Sequence, residues 1–91
     1  MGKKLSKTDY WRIKKNILKK LYSSQAFSKG HMLYERLQSS IPGHLKGFVK
    51  DILSDLIKEE LVLLYGKTQY GDAFQLNIKK LAEIEKIIFQ E

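Results

Sequence analysis

The sequence predicts a mostly helical α+β fold that forms one domain of 91 residues. Apolar residues recur every three or four positions over most of the chain, which is the spacing of helices that bury one face. One stretch departs from this spacing, because strand formers, turn residues and an alternating segment follow one another between residues 61 and 76. With 43% apolar and 30% charged residues, the composition is that of a globular domain. We therefore expect a three-helix core, a two- or three-stranded antiparallel sheet and an additional C-terminal helix.

The first helix is expected to begin at Asp9, after a mobile basic tail of residues 1–7, so that residues 8–91 form the domain. Thr8 is the predicted N-cap, because its side chain can accept a hydrogen bond from a free backbone N–H of the first turn. The carboxylate of Asp9 favours the positive end of the helix dipole. The residues at helical spacing on the predicted inner face are Tyr10, Ile13, Ile17, Leu18 and Leu21.

A loop over residues 22–28 separates the first helix from the second. The end of this loop, residues 26–27, is expected to add a short edge strand to a small sheet. Ser28 is the predicted N-cap of a second helix from about Lys29 to Ser39, whose first turn is weakened by Gly30. Residues with predicted inward side chains in this helix are Met32, Leu33, Arg36 and Leu37.

The third helix, from Gly43 to Glu59, has the most regular apolar pattern in the chain. Pro42, the only proline, is expected to end the preceding helix and open this one. Proline is tolerated there because the N–H that it lacks would be unpaired in a first helical turn in any case. The stripe on the predicted inner face comprises Leu45, Phe48, Val49, Ile52, Leu53, Leu56 and Ile57.

A hairpin and a last helix complete the predicted order of elements. Residues 61–65 (LVLLY) favour a strand, residues 66–72 supply turn residues, and residues 73–76 alternate as a return strand. Asn77 is the expected N-cap of a helix from Ile78 to Phe89. Its apolar stripe is formed by Leu81, Ile84 and Ile88, with Ile87 and Phe89 beside it.

The positive charge is concentrated in the first half of the chain. Residues 1–50 contain 12 Lys or Arg and 2 Asp or Glu, whereas residues 51–91 contain 5 and 8, within a formal net charge of +7. A basic half of this kind favours a surface that faces a polyanion. The alternative is a lysine-rich protein with evenly solvated charges, as in some thermophiles, but the uneven distribution favours a binding function.

Several kinds of chemistry are not expected from these residues. There are no cysteines, and the two histidines, His31 and His44, have no cluster of further ligands at metal-binding spacing. Residues 66–68 (GKT) lie between strands and lack the upstream glycine of a phosphate-binding loop. We therefore expect no enzyme activity, no cofactor and no metal. No apolar run reaches the roughly 18–20 residues that span a bilayer, and no signal-peptide core follows the basic N-terminus, so a cytoplasmic protein without a membrane partner is expected.

Three segments, taken with the order of the elements, resemble the winged helix-turn-helix superfamily over about residues 9–89. They are residues 42–44 (PGH), residues 56–62 (LIKEELV) and residues 66–76 (GKTQYGDAFQL). The last segment resembles the wing of small archaeal- and bacterial-type transcription regulators. The resemblance implies a winged helix whose third helix enters the major groove of double-stranded DNA. Some members of this fold bind proteins instead of DNA.

The resemblance also implies DNA contacts from three parts of the chain. The third helix would reach base edges, the hairpin tip would touch phosphates or the minor groove, and the start of the second helix would hold a phosphate. Asp51 and Asp55 oppose this interpretation, because carboxylates on a reading face repel phosphate. The alternatives are a solvated helix face, simple capping at Ser28 and a plain hairpin turn. The expected DNA-binding residues are Ser28, Lys29, His44, Lys46, Gly47, Lys50, Ser54, Lys67, Thr68, Gln69 and Tyr70.

The terminal helices carry more apolar residues than the predicted core needs. Exposed together, they would form a patch that implies a partner, and a two-fold dimer matches palindromic DNA sites. We therefore expect a homodimer through these helices, and the alternative is that the same residues pack within one chain. The expected interface residues are Trp11, Leu18, Tyr22, Ile84, Ile87, Ile88 and Phe89.

These features predict a cytoplasmic transcription regulator that binds double-stranded DNA. The main alternative is a winged-helix protein-interaction module or subunit that does not bind DNA specifically, which the acidic residues of the third helix favour. Structured RNA is a third candidate target. No small-molecule ligand, effector or target site can be inferred from the sequence.

Overall fold

Within residues 5–90, which the computed structural model describes, the chain forms four α-helices, two 3₁₀ helices and three strands. The helices are α1 (Lys7–Ser23), α2 (Tyr34–Gln38), α3 (Val49–Lys58) and α4 (Leu81–Ile88). The strands are β1 (Met32–Leu33), β2 (Val62–Thr68) and β3 (Gly71–Leu76), and the 3₁₀ helices span Gly43–Phe48 and Ile78–Lys80. The predicted α+β class, mostly helical with a small antiparallel sheet, is confirmed.

Helix α1 begins two residues before the predicted start and has a different cap. The hydroxyl oxygen of Ser6 accepts a 3.0 Å hydrogen bond from a backbone N–H of the first turn, so Ser6 is the N-cap and Thr8 lies inside the helix. The tail predicted over residues 1–7 was too long, because Leu5 packs against the core. Residues 1–4 of that tail lie outside the described residues. The predicted inner face is confirmed by the buried side chains of Ile13, Ile17, Leu18 and Leu21.

The second helix differs most from the prediction. Ser28 has a φ of +60°, a left-handed conformation that differs from the extended one of N-cap residues, and the chain turns at Lys29 instead of entering a helix. Strand β1 then pairs with β3, with Met32 opposite Phe74, and only five residues remain for α2. Hydrogen bonds to a strand about 40 residues away in sequence therefore override the local helical pattern.

The loop before β1 is held against the end of β3. The backbone N–H of Leu76 donates a 2.7 Å hydrogen bond to the carbonyl oxygen of Ala26, and Phe27 forms an isolated parallel bridge with Leu76. Residues 26–27 thus contact the sheet, as predicted, but through a single bridge instead of a strand. Gly30 is required here because a Cβ atom on it would collide with the backbone carbonyl oxygen of Gln25.

The third helix keeps its predicted core face but not its predicted regularity. Residues 43–48 form a 3₁₀ helix, and α-helical geometry begins at Val49. Gly43 and Gly47 both lie in this first part, where glycine weakens helical preference. The buried residues of the stripe are Val49, Ile52, Leu53 and Leu56, whereas Leu45 and Phe48 are half-buried and Ile57 is 37% exposed.

The sheet has the order β1-β3-β2, which leaves β2 as an edge strand. Strands β2 and β3 continue to a two-residue turn at residues 69–70, so the turn is shorter than the predicted one over residues 66–72. Gly71 follows this turn with a φ of +114°, a conformation that favours glycine. Tyr65 is an extra residue in the register between the two strands and forms a β-bulge.

The last helix closes the core. The side chain of Asn77 accepts a 3.1 Å hydrogen bond from the backbone N–H of Lys79, which confirms the predicted cap, although the first turn is 3₁₀ and α4 begins at Leu81. Ile84 and Ile88 are buried with residues of α1, α3 and the inner face of the sheet in one apolar cluster. Leu37 of α2 is buried in the same cluster, so the core lies between the four helices and the sheet.

Candidate nucleic-acid interface

The polar residues of α3 and its C-terminal cap lie on two sides of the helix, and side chains of α1 form hydrogen bonds and an ion pair with one of these sides. The hydroxyl of Tyr10 donates a 2.6 Å hydrogen bond to Oδ2 of Asp55. One turn further along both helices, Nζ of Lys14 lies 2.7 Å from Oε1 and 3.0 Å from Oε2 of Glu59. The carboxylates of Asp55 in α3 and of Glu59 at its C-terminal cap are therefore held in the α1–α3 contact, whereas Asp51 is not. The repulsion expected from Asp55 on a DNA-reading face is reduced accordingly, because this side chain is half-buried and partnered.

The same contact changes the acidity of Tyr10. The hydrogen bond to Asp55, then burial, then the negative charges of Asp55 and Glu59 raise the pKa of Tyr10 from 10.0 to about 12. Lys14 is only 8% exposed, and its Nζ lies 5.8 Å and 5.9 Å from the ring centres of Tyr10 and Trp11. These groups form a partly buried polar cluster that fixes the orientation of α3 on α1.

The other polar side of α3 carries its cations. Lys50, Ser54 and Lys58 are exposed and follow one another at four-residue spacing, so they form one row along the helix. Asp51 is also exposed; it lies about 100° around the helix from Lys50 but only about 60° from Ser54, at the edge of this row that is nearer to α1. The row itself therefore presents two ammonium groups and a hydroxyl.

This row forms one wall of a concavity of about 730 Å³, which we call the α3–hairpin groove. The wall from α3 consists of Lys50, Leu53, Ser54, Ile57 and Lys58. The opposite wall, from α2 and the hairpin, includes Tyr34, Glu35, Leu64, Tyr70, Asp72 and Phe74. The groove thus brings two of the predicted DNA-binding residues of the third helix, Lys50 and Ser54, to the same concavity as Tyr70 of the hairpin.

The 3₁₀ helix before α3 adds further exposed polar groups. His44, Lys46 and Gly47 are all accessible, and they lie outside the groove. A 3₁₀ helix has about three residues per turn, so His44 and Gly47 lie in one row and Lys46 lies beside it. This arrangement differs from the α-helical wheel on which their common face with Lys50 was predicted.

The hairpin tip presents Lys67, Thr68, Gln69 and Tyr70 to solvent, and Tyr70 is 70% exposed. Thr68 is engaged inside the turn. Its hydroxyl donates a 2.8 Å hydrogen bond to the carbonyl oxygen of Gly71 and accepts a 3.0 Å hydrogen bond from the backbone N–H of Tyr70. The hydroxyl hydrogen of Thr68 is therefore used within the turn, whereas Lys67 and Gln69 keep exposed side chains that can reach a phosphate.

Ser28 and Lys29 are not at the start of a helix, so the helix N-terminus on which the predicted phosphate contact depended is absent, and a DNA contact of these residues stays a prediction. Both residues are exposed in the turn before β1, where no set of free helical N–H groups exists to bind an anion. The carbonyl oxygen of Ser28 accepts a 2.9 Å hydrogen bond from Nε2 of Gln75, which also donates to the carbonyl oxygen of Gly30 at 3.1 Å. This segment anchors the loop to β3.

The predicted dimer interface is divided by the fold. Three of the predicted interface residues are buried in the core of the chain itself, so their assignment to a dimer interface was wrong: Leu18, Ile84 and Ile88. Ile87 and Tyr22 are half-buried; the Tyr22 hydroxyl donates a 2.7 Å hydrogen bond to Glu85, which raises the pKa of Tyr22. The exposed members are Trp11, at 41%, and Phe89, at 64%, whose ring makes an edge contact with Tyr22 at 5.7 Å.

Sequence reasoning missed two surfaces. One is the α3–hairpin groove, which requires three elements from distant parts of the chain. The other is the edge of β2, where Leu63, Leu64 and Tyr65 are 39%, 46% and 49% exposed and the ring of His31 stacks on Tyr65 at 4.3 Å. The run of three apolar residues where a half-buried strand would alternate was the available signal for this second surface.

The chain was compared with protein-family models, with curated proteins and with solved structures, and none of the three comparisons found a match. Between residues 5 and 90, no helix is both long enough and apolar enough to cross a bilayer.

Proposed function

We propose that the protein binds double-stranded DNA as a cytoplasmic transcription regulator of the winged-helix type. The observation that carries this proposal is the separation of charge on α3. Asp55 and Glu59 are held against α1, while the row of Lys50, Ser54 and Lys58 faces outward beside the hairpin. A helix with this distribution can approach phosphates without the repulsion that its total acid content suggests.

The order of elements supports a winged-helix topology. A long helix, a short strand, two further helical segments, a hairpin and a closing helix follow one another along the chain. The first short strand joins the hairpin at β3, so the hairpin projects from a three-stranded sheet with its tip at residues 69–70 in solvent. In this proposal the hairpin is the wing.

The proposed mode of binding divides the work between two parts of the surface. Residues of the 3₁₀ helix and α3, from His44 to Ser54, enter the major groove, where lysine can donate to guanine acceptors or phosphates. Lys67 and Gln69 at the tip contact the neighbouring backbone, and phosphate neutralisation supplies most of the affinity. Asp51, the carboxylate that stays exposed on α3, accepts a hydrogen bond from a cytosine amino group or lies beside the duplex.

Fluorescence anisotropy with a labelled DNA duplex, titrated across salt concentrations, tests this proposal. Binding should weaken steeply with salt, and Lys50→Gln or Lys67→Gln should each lower the affinity and reduce the salt slope by about 1. Lys79→Gln is the matched control, because Lys79 is an exposed lysine beyond the end of β3 that lies away from the tip. Undetectable binding at low salt, or an equal loss in the control, would refute the proposal. Competition with duplex RNA separates DNA from structured RNA.

A protein-interaction module is the second candidate, and a specific observation favours it. The edge strand β2 exposes Leu63, Leu64 and Tyr65 next to an unpaired backbone edge, which is a surface suited to strand addition by a partner. Charge reversal at Lys46 and Lys50, which both lie outside β2, discriminates the candidates. It should abolish DNA binding, whereas a partner docked on β2 through apolar contacts should be retained.

A homodimer through the terminal helices remains part of the proposal, now resting on Trp11 and Phe89. These two side chains are the strongly exposed apolar residues of α1 and of the segment that ends α4. Sedimentation velocity of the protein and of a Trp11→Ser, Phe89→Ser variant tests it: a dimer that dissociates in the variant supports this interface. A dimer that persists places the contact elsewhere, and a monomeric wild type refutes it.

A further inference from the structure

We infer that the α3–hairpin groove is a binding site for a small, mostly apolar organic anion, such as an aromatic or aliphatic carboxylate. Its volume of about 730 Å³ lies within the range of small-molecule sites, which is about 300–1,000 Å³. The groove can hold such a ligand whether or not the protein binds DNA.

The floor of the groove is apolar although it is open to solvent. Leu64 and Phe74 are directly opposite each other in the β2–β3 register, and Leu53 and Ile57 face them from α3. Ile57 and Leu64 are 37% and 46% exposed, so the chain itself leaves large apolar surfaces in water here. The rings of Tyr34 and Tyr70 also line the groove, and they provide surfaces for an aromatic or aliphatic body.

The wall formed by α3 supplies the polar groups that would hold an anionic head. Ser54 lies one helical turn from Lys50 and one turn from Lys58, so an anion at the Ser54 hydroxyl is within reach of both ammonium groups. Neither lysine forms an ion pair with another residue between positions 5 and 90. Both charges are therefore free to bind a carboxylate.

The two acidic groups of the groove lie on α2 and on the hairpin, not on the α3 wall that carries the lysines. Asp72 lies on the hairpin side and is directly opposite Lys67 in the register, although the two side chains form no ion pair in the described residues. Glu35 lies on the α2 side, across the groove from the lysine row. The arrangement places the anionic head of a ligand on α3 and its apolar body against the hairpin.

Occupation of the groove would compete with DNA if the proposed function holds, because Lys50, Ser54 and Tyr70 belong to both surfaces. That consequence rests on the proposed function. Ligand binding is measured without DNA, so failure of one proposal leaves the other intact.

Isothermal titration calorimetry with 2-naphthoate and its neutral analogue 2-naphthalenemethanol is the direct test. We expect saturable binding of the carboxylate at one site per chain and a loss of about five- to tenfold for the alcohol. Lys50→Gln and Lys58→Gln should each weaken naphthoate by about the same factor and leave the alcohol unchanged. Lys79→Gln, an exposed lysine outside the groove, is the control.

Leu64→Gln tests the apolar floor of the groove. Ile78→Gln is the matched control, because Ile78 is 55% exposed and lies outside the groove. Only the first change should weaken both ligands. Chemical-shift mapping on the unaltered protein keeps the test valid if a variant fails to fold. Shifts clustered at Ser54, Leu64 and Phe74 support the site.

Three results would overturn the inference. They are the absence of saturable binding up to about 1 mM naphthoate, shift changes clustered around Trp11 and Phe89 instead of the groove, and equal affinity for the acid and the alcohol. Light scattering separates two causes of the first of these results: a dimer that excludes naphthoate assigns the groove to a second copy of the chain, and a monomer that does not bind naphthoate leaves the groove without this ligand.

Discussion

The hydroxyl of Tyr10 in α1 donates a 2.6 Å hydrogen bond to the carboxylate of Asp55 in α3, and Lys14 contacts Glu59 one turn further along both helices. The two pairs have the same separation of 45 residues. Both partners advance by four residues, so α1 and α3 run in the same direction at this contact. This repeated pair determines which side of α3 faces α1 and therefore which side stays exposed.

Tyr10→Phe should lower the free energy of unfolding by about 1–2 kcal/mol at neutral pH. The change removes a hydrogen bond to a charged acceptor and leaves the half-buried Asp55 carboxylate without this partner. Urea unfolding at pH 7 measures the loss. An unchanged stability would show that the Tyr10–Asp55 contact contributes nothing.

The same residue predicts a loss of stability at high pH. The pKa of Tyr10 is raised in the folded protein to about 12 from an ordinary value of 10.0. Its contribution is therefore fully present below pH 10.0 and is lost as the pH rises toward about 12. Unfolding free energies measured from pH 9 to 11.5 should fall more steeply in the wild type than in Tyr10→Phe. Parallel curves for the two proteins would contradict this prediction.

Removing Glu59 and removing Lys14 from their ion pair should lower the free energy of unfolding by different amounts. Glu59→Gln leaves the ammonium of Lys14, which is 8% exposed, without its counter-charge. We expect a cost of about 1–2 kcal/mol, below that of a fully buried pair because the Glu59 side chain is 43% exposed. Lys14→Met should cost less, because Glu59 can turn to solvent. Equilibrium unfolding that gives the reverse order would contradict this account.

Leu18→Ala distinguishes core packing from a dimer contact. Leu18 is fully buried within the chain, so its truncation should cost about 2–5 kcal/mol at every protein concentration. Phe89→Ala should cost less than about 1 kcal/mol in the monomer, because the side chain is 64% exposed. Thermal unfolding over a wide range of protein concentration measures both. If the loss of unfolding free energy in Leu18→Ala grew with protein concentration, Leu18 would be assigned to a dimer interface after all.

Gly30→Ala should destabilise the fold by about 1–3 kcal/mol, because the new Cβ collides with the backbone carbonyl oxygen of Gln25. Gly43→Ala is the matched control: apart from its chain neighbours and the backbone of its own helix, nothing lies within 4 Å of its Cβ position, and alanine favours a helical conformation there. In chemical denaturation, the free energy of unfolding should fall for Gly30→Ala and rise for Gly43→Ala. Equal stabilities would mean that the loop before β1 adapts to the added methyl group.

Thr68→Val should loosen the hairpin tip, because it removes the two hydrogen bonds that the hydroxyl makes within the turn, whereas Thr68→Ser should keep them. Amide hydrogen exchange of residues 66–72 measures the difference. If Thr68→Val weakens DNA binding without faster exchange at the tip, the hydroxyl contacts DNA directly and its role in the turn is secondary.

Part of this structure was predictable because some signals are local. The stripe from Val49 to Leu56 identified the buried face of α3, the alternation before Leu76 identified β3, and Asn77 identified a cap. Each depends on a few neighbouring residues whose periodicity or hydrogen-bonding capacity is fixed by the backbone. The second helix was predicted wrongly because the apolar side chain of Met32 can be buried equally well by a helix or by a strand. Pairing with β3, which is distant in sequence, makes this segment a strand.

The sequence by itself determined the class of the fold, the buried faces of the long helices, the existence of the hairpin and the excess of positive charge. Only the tertiary structure decided which polar residues stand together. Asp55 and Lys50 both lie on the polar part of one amphipathic helix, yet Tyr10 holds the first against α1 while the second lines the groove. The physical reason is that helical periodicity separates polar from apolar faces, whereas the partner of each polar side chain is supplied by an element distant in sequence.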